Sequence, residues 1–333
     1  MRIPLFVRAG VVALQAGLVL ATAAAENHRV TLAPAGVDRA GQVVTITIPR
    51  GAPQPTALRD AAGRVTPLQV DADSAARFVV PLQKAGESLT FTFVRVNGIA
   101  DKVTVTDDAA NVSVRTGGQP VLVYRKDRDN VPRAGINPDI KRAGYIHPVY
   151  SPAGKIVTDD YPPNHAWHHG IWTPWVKTAF QGRTPDFWNM EKKLGRQDFV
   201  ALERTWNGPV HGGFASRQQM VDLGAATPLV VLNETWVVRA YDMAGAARPV
   251  RMFDLEVTQT CATNDRLELP KFHYGGFGFR GAAEWNGPGD VATFLTSDGV
   301  TDRIKGNNTR GNWCFLGGKL DGAISGTAIL GHP

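Results

Sequence analysis

Cysteine is nearly absent from this sequence: Cys261 and Cys314 are the only two in 333 residues. Two thiols can neither staple a disulfide-built scaffold nor supply a thiolate zinc site. They sit in strand-like runs, 258–261 and 312–315, which would have to be neighbours for a disulfide to form. Two separately buried thiols is the simpler expectation. Long apolar runs are also missing, since beyond the N-terminus nothing reaches the ~18 residues of a membrane helix. There is no Walker phosphate loop, no G-x-S-x-G elbow and no His-Glu-x-x-His pair, which disfavours phosphoryl transfer and the corresponding hydrolases. The charge excess is small, 36 basic against 30 acidic residues, and it is not gathered into runs interleaved with aromatics. Nucleic acid is therefore not an expected partner. With 43% hydrophobic and 20% charged residues, the chain is expected to fold around a proper core.

Residues 1–25 have the layout of a secretory leader. Arg2 and Arg8 give a positive start, residues 9–20 form a short apolar stretch, and Ala23-Ala24-Ala25 offers a small-residue cleavage site. Removal would take two positive charges from the formal net charge of +6. The expected location is periplasmic or secreted, with no stable membrane insertion.

Helical periodicity is scarce after residue 26, whereas strand signals recur. The runs 43–48 (VVTITI), 88–96 (SLTFTFVRV), 112–115 with 121–124, 229–238 (LVVLNETWVV) and 252–259 (MFDLEVTQ) largely alternate apolar and polar residues. Such runs are rich in Val, Thr, Phe and Trp, and glycine or proline punctuates them closely. An all-β, antiparallel fold is expected. Residues 26–104 read as a small β-rich module. Residues 105–333 form the larger part, which holds all eight Trp and seven of the eight His. Chemistry, where present, belongs there.

One segment concentrates it. Residues 144–170 (GYIHPVYSPAGKIVTDDYPPNHAWHHG) carry His147, His165, His168 and His169 beside Asp159 and Asp160. Pro148, Pro152, Pro162 and Pro163 disfavour a helix, so an ordered loop between short strands is expected. Imidazoles move protons near neutral pH and bind metals. In an extended run His165 and His169 would share a face, and Asp160 could complete a two-His, one-carboxylate set for a divalent metal. No cofactor is otherwise called for. Trp172, Trp175 and Trp188 follow, with Glu191 in the run FWNME. Their rings suit sugar faces or a sandwich core equally.

A second cluster is residues 271–280 (KFHYGGFGFR), where His273 and Tyr274 offer proton transfer and Arg280 a carboxylate or oxyanion clamp. It overlaps a G-x-G-x-x-G match at Gly276, Gly278 and Gly281, with no helix or βαβ context for a dinucleotide. Glu234, Asp254 and Glu256 occupy polar strand positions and could supply a general base, though each alone is expected at the surface.

The motifs His147-Pro148, Ser151-Pro152-x-Gly154, Thr158-Asp159-Asp160 and Pro163-x-His165-x-x-His168-His169-Gly170 resemble a bacterial family of unknown function commonly labelled methane-oxygenase-like, the PmoA family. The 272–280 run and the final AILGHP are similar to it as well. The likeness covers roughly residues 105–333. It implies a galactose-mutarotase-like antiparallel β-supersandwich, a scaffold common among sugar epimerases and polysaccharide lyases. The label itself implies a metal-dependent oxygenase. Members continue past the His-Pro, so the domain is expected to be truncated at residue 333.

The leading expectation is an exported carbohydrate-active enzyme of lyase, hydrolase or epimerase type. His168 and His273 would transfer protons, with Asp160 and Glu191 as carboxylate partners. His147, His165, His169, Trp167, Trp172, Tyr274 and Arg280 would bind substrate, with Trp167 or Trp172 stacking on sugar and Arg280 as the clamp. A non-catalytic glycan-binding sandwich and the oxygenase are the alternatives.

Overall fold

A computed structural model of the chain describes residues 3–9, 29–48, 54–72, 74–287 and 291–331. The described residues are all-β as expected, with antiparallel strands in four sheets and three single 3-10 turns, Pro138–Ile140, Met190–Lys192 and Ala283–Trp285. No helix among them is long and apolar enough to cross a membrane.

The larger part is built from two sheets. The eight-stranded sheet runs Gly195–Trp206, His211–Asp222, Leu229–Tyr241, Phe253–Cys261, Ile3–Ala9, Ala323–Gly331, Trp313–Leu320, Ala292–Thr296. The six-stranded sheet runs Gly278–Phe279, Ile171–Trp172, Tyr145–Val149, Gln119–Arg125, Asn111–Thr116, Val103–Asp107. Strand alternation sends one face of each inward. Val112, Val114, Leu122, Tyr124 and Ile146 of the smaller sheet meet Phe214, Trp236, Val238, Leu255 and Val257 of the larger one. Tyr124 is the joint, its ring 4.9 Å from Phe214 and 5.9 Å from Trp236, with its hydroxyl bonded to Ser216 Oγ at 3.1 Å. Burial on this scale, at about 25 cal/mol per Å² of apolar surface, is what holds two sheets face to face.

The N-terminal module has its own core, including Leu32, Leu58, Ala76, Phe78 and Val80, between a four-stranded and a three-stranded sheet. It is tied to the larger part by Gln69, whose Oε1 accepts from the Val210 and His211 amides at 3.1 and 3.0 Å. His211 Nε2 also lies 3.1 Å from Asp71 Oδ1.

Of the residues read as a leader, Ile3–Ala9 form a strand between Phe253–Cys261 and Ala323–Gly331, while residues 1–2 and 10–25 lie outside the described residues. His332 and Pro333 of the terminal motif lie outside them as well. Both cysteines are free, on strands that Ile3–Ala9 and Ala323–Gly331 separate, and Cys261 is exposed rather than buried. Glu234 is not a surface residue but 1% exposed, because it shares the inward parity of Leu232, Trp236 and Val238.

Phe214 is fully buried at the joint between the sheets. Phe214→Ala is expected to cost about 3–5 kcal/mol in urea unfolding followed by circular dichroism. A loss below about 1 kcal/mol would contradict this packing.

Candidate functional site

The segment 161–169 departs from an extended run. Pro162 and Pro163 start a turn closed by His165 N to Pro162 O at 3.0 Å. A second turn follows, His168 N to His165 O at 2.9 Å, and Tyr161 N to His168 O at 3.0 Å shuts the loop. Tyr161 takes a left-handed φ of 50°, and Arg133 donates to its carbonyl. These turns overturn the expected pairing of His165 with His169. His165 and His168 stand together, ring centroids 4.8 Å apart, and His169 turns inward to full burial.

His169 anchors the loop from inside. Its Nδ1 lies 2.8 Å from Asp160 Oδ1, and Tyr145 Oη donates to Asp160 Oδ2 at 3.0 Å. A carboxylate acceptor places the imidazole proton on Nδ1. Burial lowers the His169 pKa more than the Asp160 contact raises it, so the ring is neutral. Burial, with Asp160 second, raises the Tyr145 hydroxyl well above its ordinary value. Asp160 thus partners His169 and Tyr145, not His168 or His273. Nε2 of His169 and Nε1 of Trp172 are buried without a hydrogen-bond partner, an arrangement that costs about 1–3 kcal/mol per group.

His168 occupies the outer side of the same loop. It is partly buried, makes no side-chain hydrogen bond among the described residues, and sits 5.2 Å from Trp172 and 5.5 Å from Trp188. Desolvation, helped by His165 and Arg280, pulls its pKa down to about 3. The imidazole is therefore neutral in the free protein at neutral pH, with a lone pair open to a ligand. Trp188 is held by Asp186, whose Oδ1 accepts from the Trp188 and Asn189 amides at 3.0 and 2.9 Å. Trp188 then meets Tyr274 at 4.9 Å. The two clusters read from the sequence thereby share one aromatic surface.

Their backbones also join. Arg280 N donates to Gly170 O at 2.8 Å and Asp159 N to Arg280 O at 3.1 Å. The G-x-G-x-x-G glycines serve packing: a Cβ on Gly276, Gly278 or Gly281 would fall 2.7–2.8 Å from the rings of Trp175, Trp172 and Trp285 respectively. Trp172, at 1% exposure and pressed on Gly278, is floor and offers no free face to stack on a sugar. Trp167 and Tyr274 keep exposed surface.

The remaining residues spread around this centre. His273 is exposed at the rim, its ring 4.2 Å from Phe272 and 4.5 Å from Tyr274. Glu191 is in the turn Met190–Lys192, partly buried, with one carboxylate oxygen unpartnered. His147 lies behind the loop, its Nδ1 3.0 Å from Thr158 Oγ1, and burial lowers its pKa to about 4. Among the described residues, no three His, Cys, Asp or Glu side chains are grouped as metal ligands would be.

Beneath the site lies a buried polar network that residue-by-residue reading missed. Glu234 accepts from Thr173 Oγ1 at 2.7 Å and Trp236 Nε1 at 2.6 Å, and also from Gln259. Gln197 Nε2 lies 3.3 Å from Glu234, while its oxygen accepts from Arg142. Arg142 is 1% exposed, and its amide donates to Tyr161 Oη at 3.0 Å. Burial raises the Glu234 carboxyl and brings Arg142 down to about 10. The parity of Glu234 with Trp236 and Val238 was the available signal.

Both His147 and His168 have pKa values depressed below the ordinary 6.5, so the unfolded chain binds their protons more readily. Their contribution to stability is present above pH 6.5 and lost as the pH falls toward about 4 for His147 and about 3 for His168. The difference in melting temperature between wild type and His147→Gln is expected to shrink from pH 7 to pH 4.5; a constant or growing difference would contradict the buried neutral imidazole.

No curated protein matches the chain. The model of the Family of unknown function (DUF6807) matches residues 111–333, which include both the 147–169 loop and the 271–280 run. The chain belongs to that family.

Proposed function

We propose that this site acts on carbohydrate, with His168 as its proton-accepting group. The carrying observation is an unbonded, neutral imidazole set between Trp172 and Trp188 on an aromatic surface that ends in exposed Tyr274. Aromatic faces bind the apolar faces of sugar rings, and a positioned base near C–H or O–H bonds serves lyase, hydrolase or epimerase chemistry. Trp167 and Tyr274 are the stacking rings, His165 and His273 flank them, and Arg280 orients the ligand. The His169–Asp160–Tyr145 set positions the loop rather than touching substrate. Glu191, with a free carboxylate oxygen, is the candidate partner acid. The two-sheet architecture is compatible with a galactose-mutarotase-like supersandwich.

Export of the chain belongs to the same proposal. Cleavage after Ala25 would remove Ile3–Ala9 from between its two neighbours, leaving those strands to pair anew. A binding-only role is the second reading, favoured by the 41% and 42% exposure of Phe272 and Tyr274, a platform that needs no base.

Incubation with a panel of neutral and acidic oligosaccharides, with products resolved by chromatography, tests the catalytic reading. Wild type is expected to turn over at least one substrate, and His168→Ala to lose about 10²–10⁴-fold of that rate while still binding it. Binding without turnover, unchanged in His168→Ala, would sink catalysis and leave the binding role.

A further inference from the structure

We propose that the sugar this site takes is an acidic one, a uronate-type residue whose carboxylate is received by Arg280. The proposal rests on the carbohydrate reading above and adds the substrate class to it.

Arg280 is fixed in place before any ligand arrives. Its amide and carbonyl are bonded to Gly170 and Asp159, and Gly281 next to it bridges Thr158. From this fixed backbone the side chain reaches the 161–169 loop at Asn164. It is partly buried, yet it forms no ion pair among the described residues. Arg183 and Arg196, by contrast, are ion-paired, with Asp222 at 2.7 Å and Asp198 at 2.8 Å. The Arg280 guanidinium has only Asn164, Nη2 to Oδ1 at 3.3 Å, an oxygen that Asn286 Nδ2 also approaches at 3.4 Å. Both contacts are long, so a carboxylate displaces little in replacing them.

A partly desolvated guanidinium without a salt-bridge partner is poorly compensated, and its planar fork matches a carboxylate in two parallel bonds. The carboxylate that bears on it electrostatically is Asp159, which burial itself pushes toward the protonated form. Asn164 and Asn286 add amide groups suited to sugar hydroxyls. Arg280 also acts on His168 by repelling its charged form. An anion bound between them reverses that field, making His168 a stronger base once substrate is present. Recognition of the acidic group and activation of the base are then one event.

Isothermal titration of the full protein tests this. The probes are trisaccharides of galacturonate, mannuronate and glucuronate type, each beside its carboxyl-reduced neutral counterpart, and a sulfated neutral trisaccharide. At least one uronate is expected to bind about tenfold or more tightly than its reduced form. Arg280→Gln is expected to abolish that difference, so that the variant binds acid and reduced forms with equal affinity. Equal binding of acid and reduced forms by wild type would overturn the acidic-sugar assignment and leave the carbohydrate reading standing. Preference for the sulfated sugar with no response to uronates would overturn the carboxylate assignment. Binding of no sugar at all would remove the carbohydrate reading itself. The wild-type comparison does not depend on the variant folding.

Discussion

The bond between a fully buried imidazole and a buried carboxylate, His169 to Asp160, is what the rest of the site hangs on. A charged pair would be costly to place there, and a neutral His169 donating from Nδ1 to Asp160 avoids part of that cost. With His169 turned inward, the loop leaves His168 on its outer side, half-buried. The two turns through Pro162–His168 then gather His165, Trp167 and His168 on the outer surface. Removing the inward anchor would release a loop whose own turns are short and whose Tyr161 is in a left-handed conformation.

Support comes from below, where the sandwich ends in polar rather than apolar contacts. Glu234 and Gln197 occupy inward positions that strand parity would give to hydrophobic residues, and Arg142, on the connection before Tyr145–Val149, is buried with them. Their bonds reach the loop through the Arg142 amide and Tyr161. Partly satisfied buried networks are expensive, so their presence in a core of Val, Leu and Phe marks this end of the sandwich as the place where packing yields to another demand. Gly276, Gly278 and Gly281 answer a different constraint: tryptophan rings approach the backbone so closely that a Cβ would collide with them.

Much of this was legible in the residues. Alternation and glycine/proline punctuation revealed the antiparallel strands, and the crowding of His and Trp beyond residue 105 pointed to the candidate site. The loop character of 147–169 followed from its prolines. What could not be read was direction. Two consecutive turns rotate His165, His168 and His169 independently of any period of two, so the extended-chain pairing of His165 with His169 failed. Trp172 looked like a stacking ring because aromatic residues serve cores and sugar faces alike; only its contact with Gly278 separates the roles. Glu234 was misplaced because a single carboxylate in a strand is usually solvated, and the parity that buries it has meaning only once the facing sheet is known.

His168 sits among aromatic rings on a loop anchored by the His169–Asp160 pair, a setting that keeps its imidazole neutral. Titration of the histidine ring nitrogens by NMR in the free protein reads this directly. His168 is expected to stay unprotonated on lowering the pH to about 4, consistent with a pKa near 3. An ordinary midpoint near pH 6.5 for His168 would show it solvated, and would contradict the account.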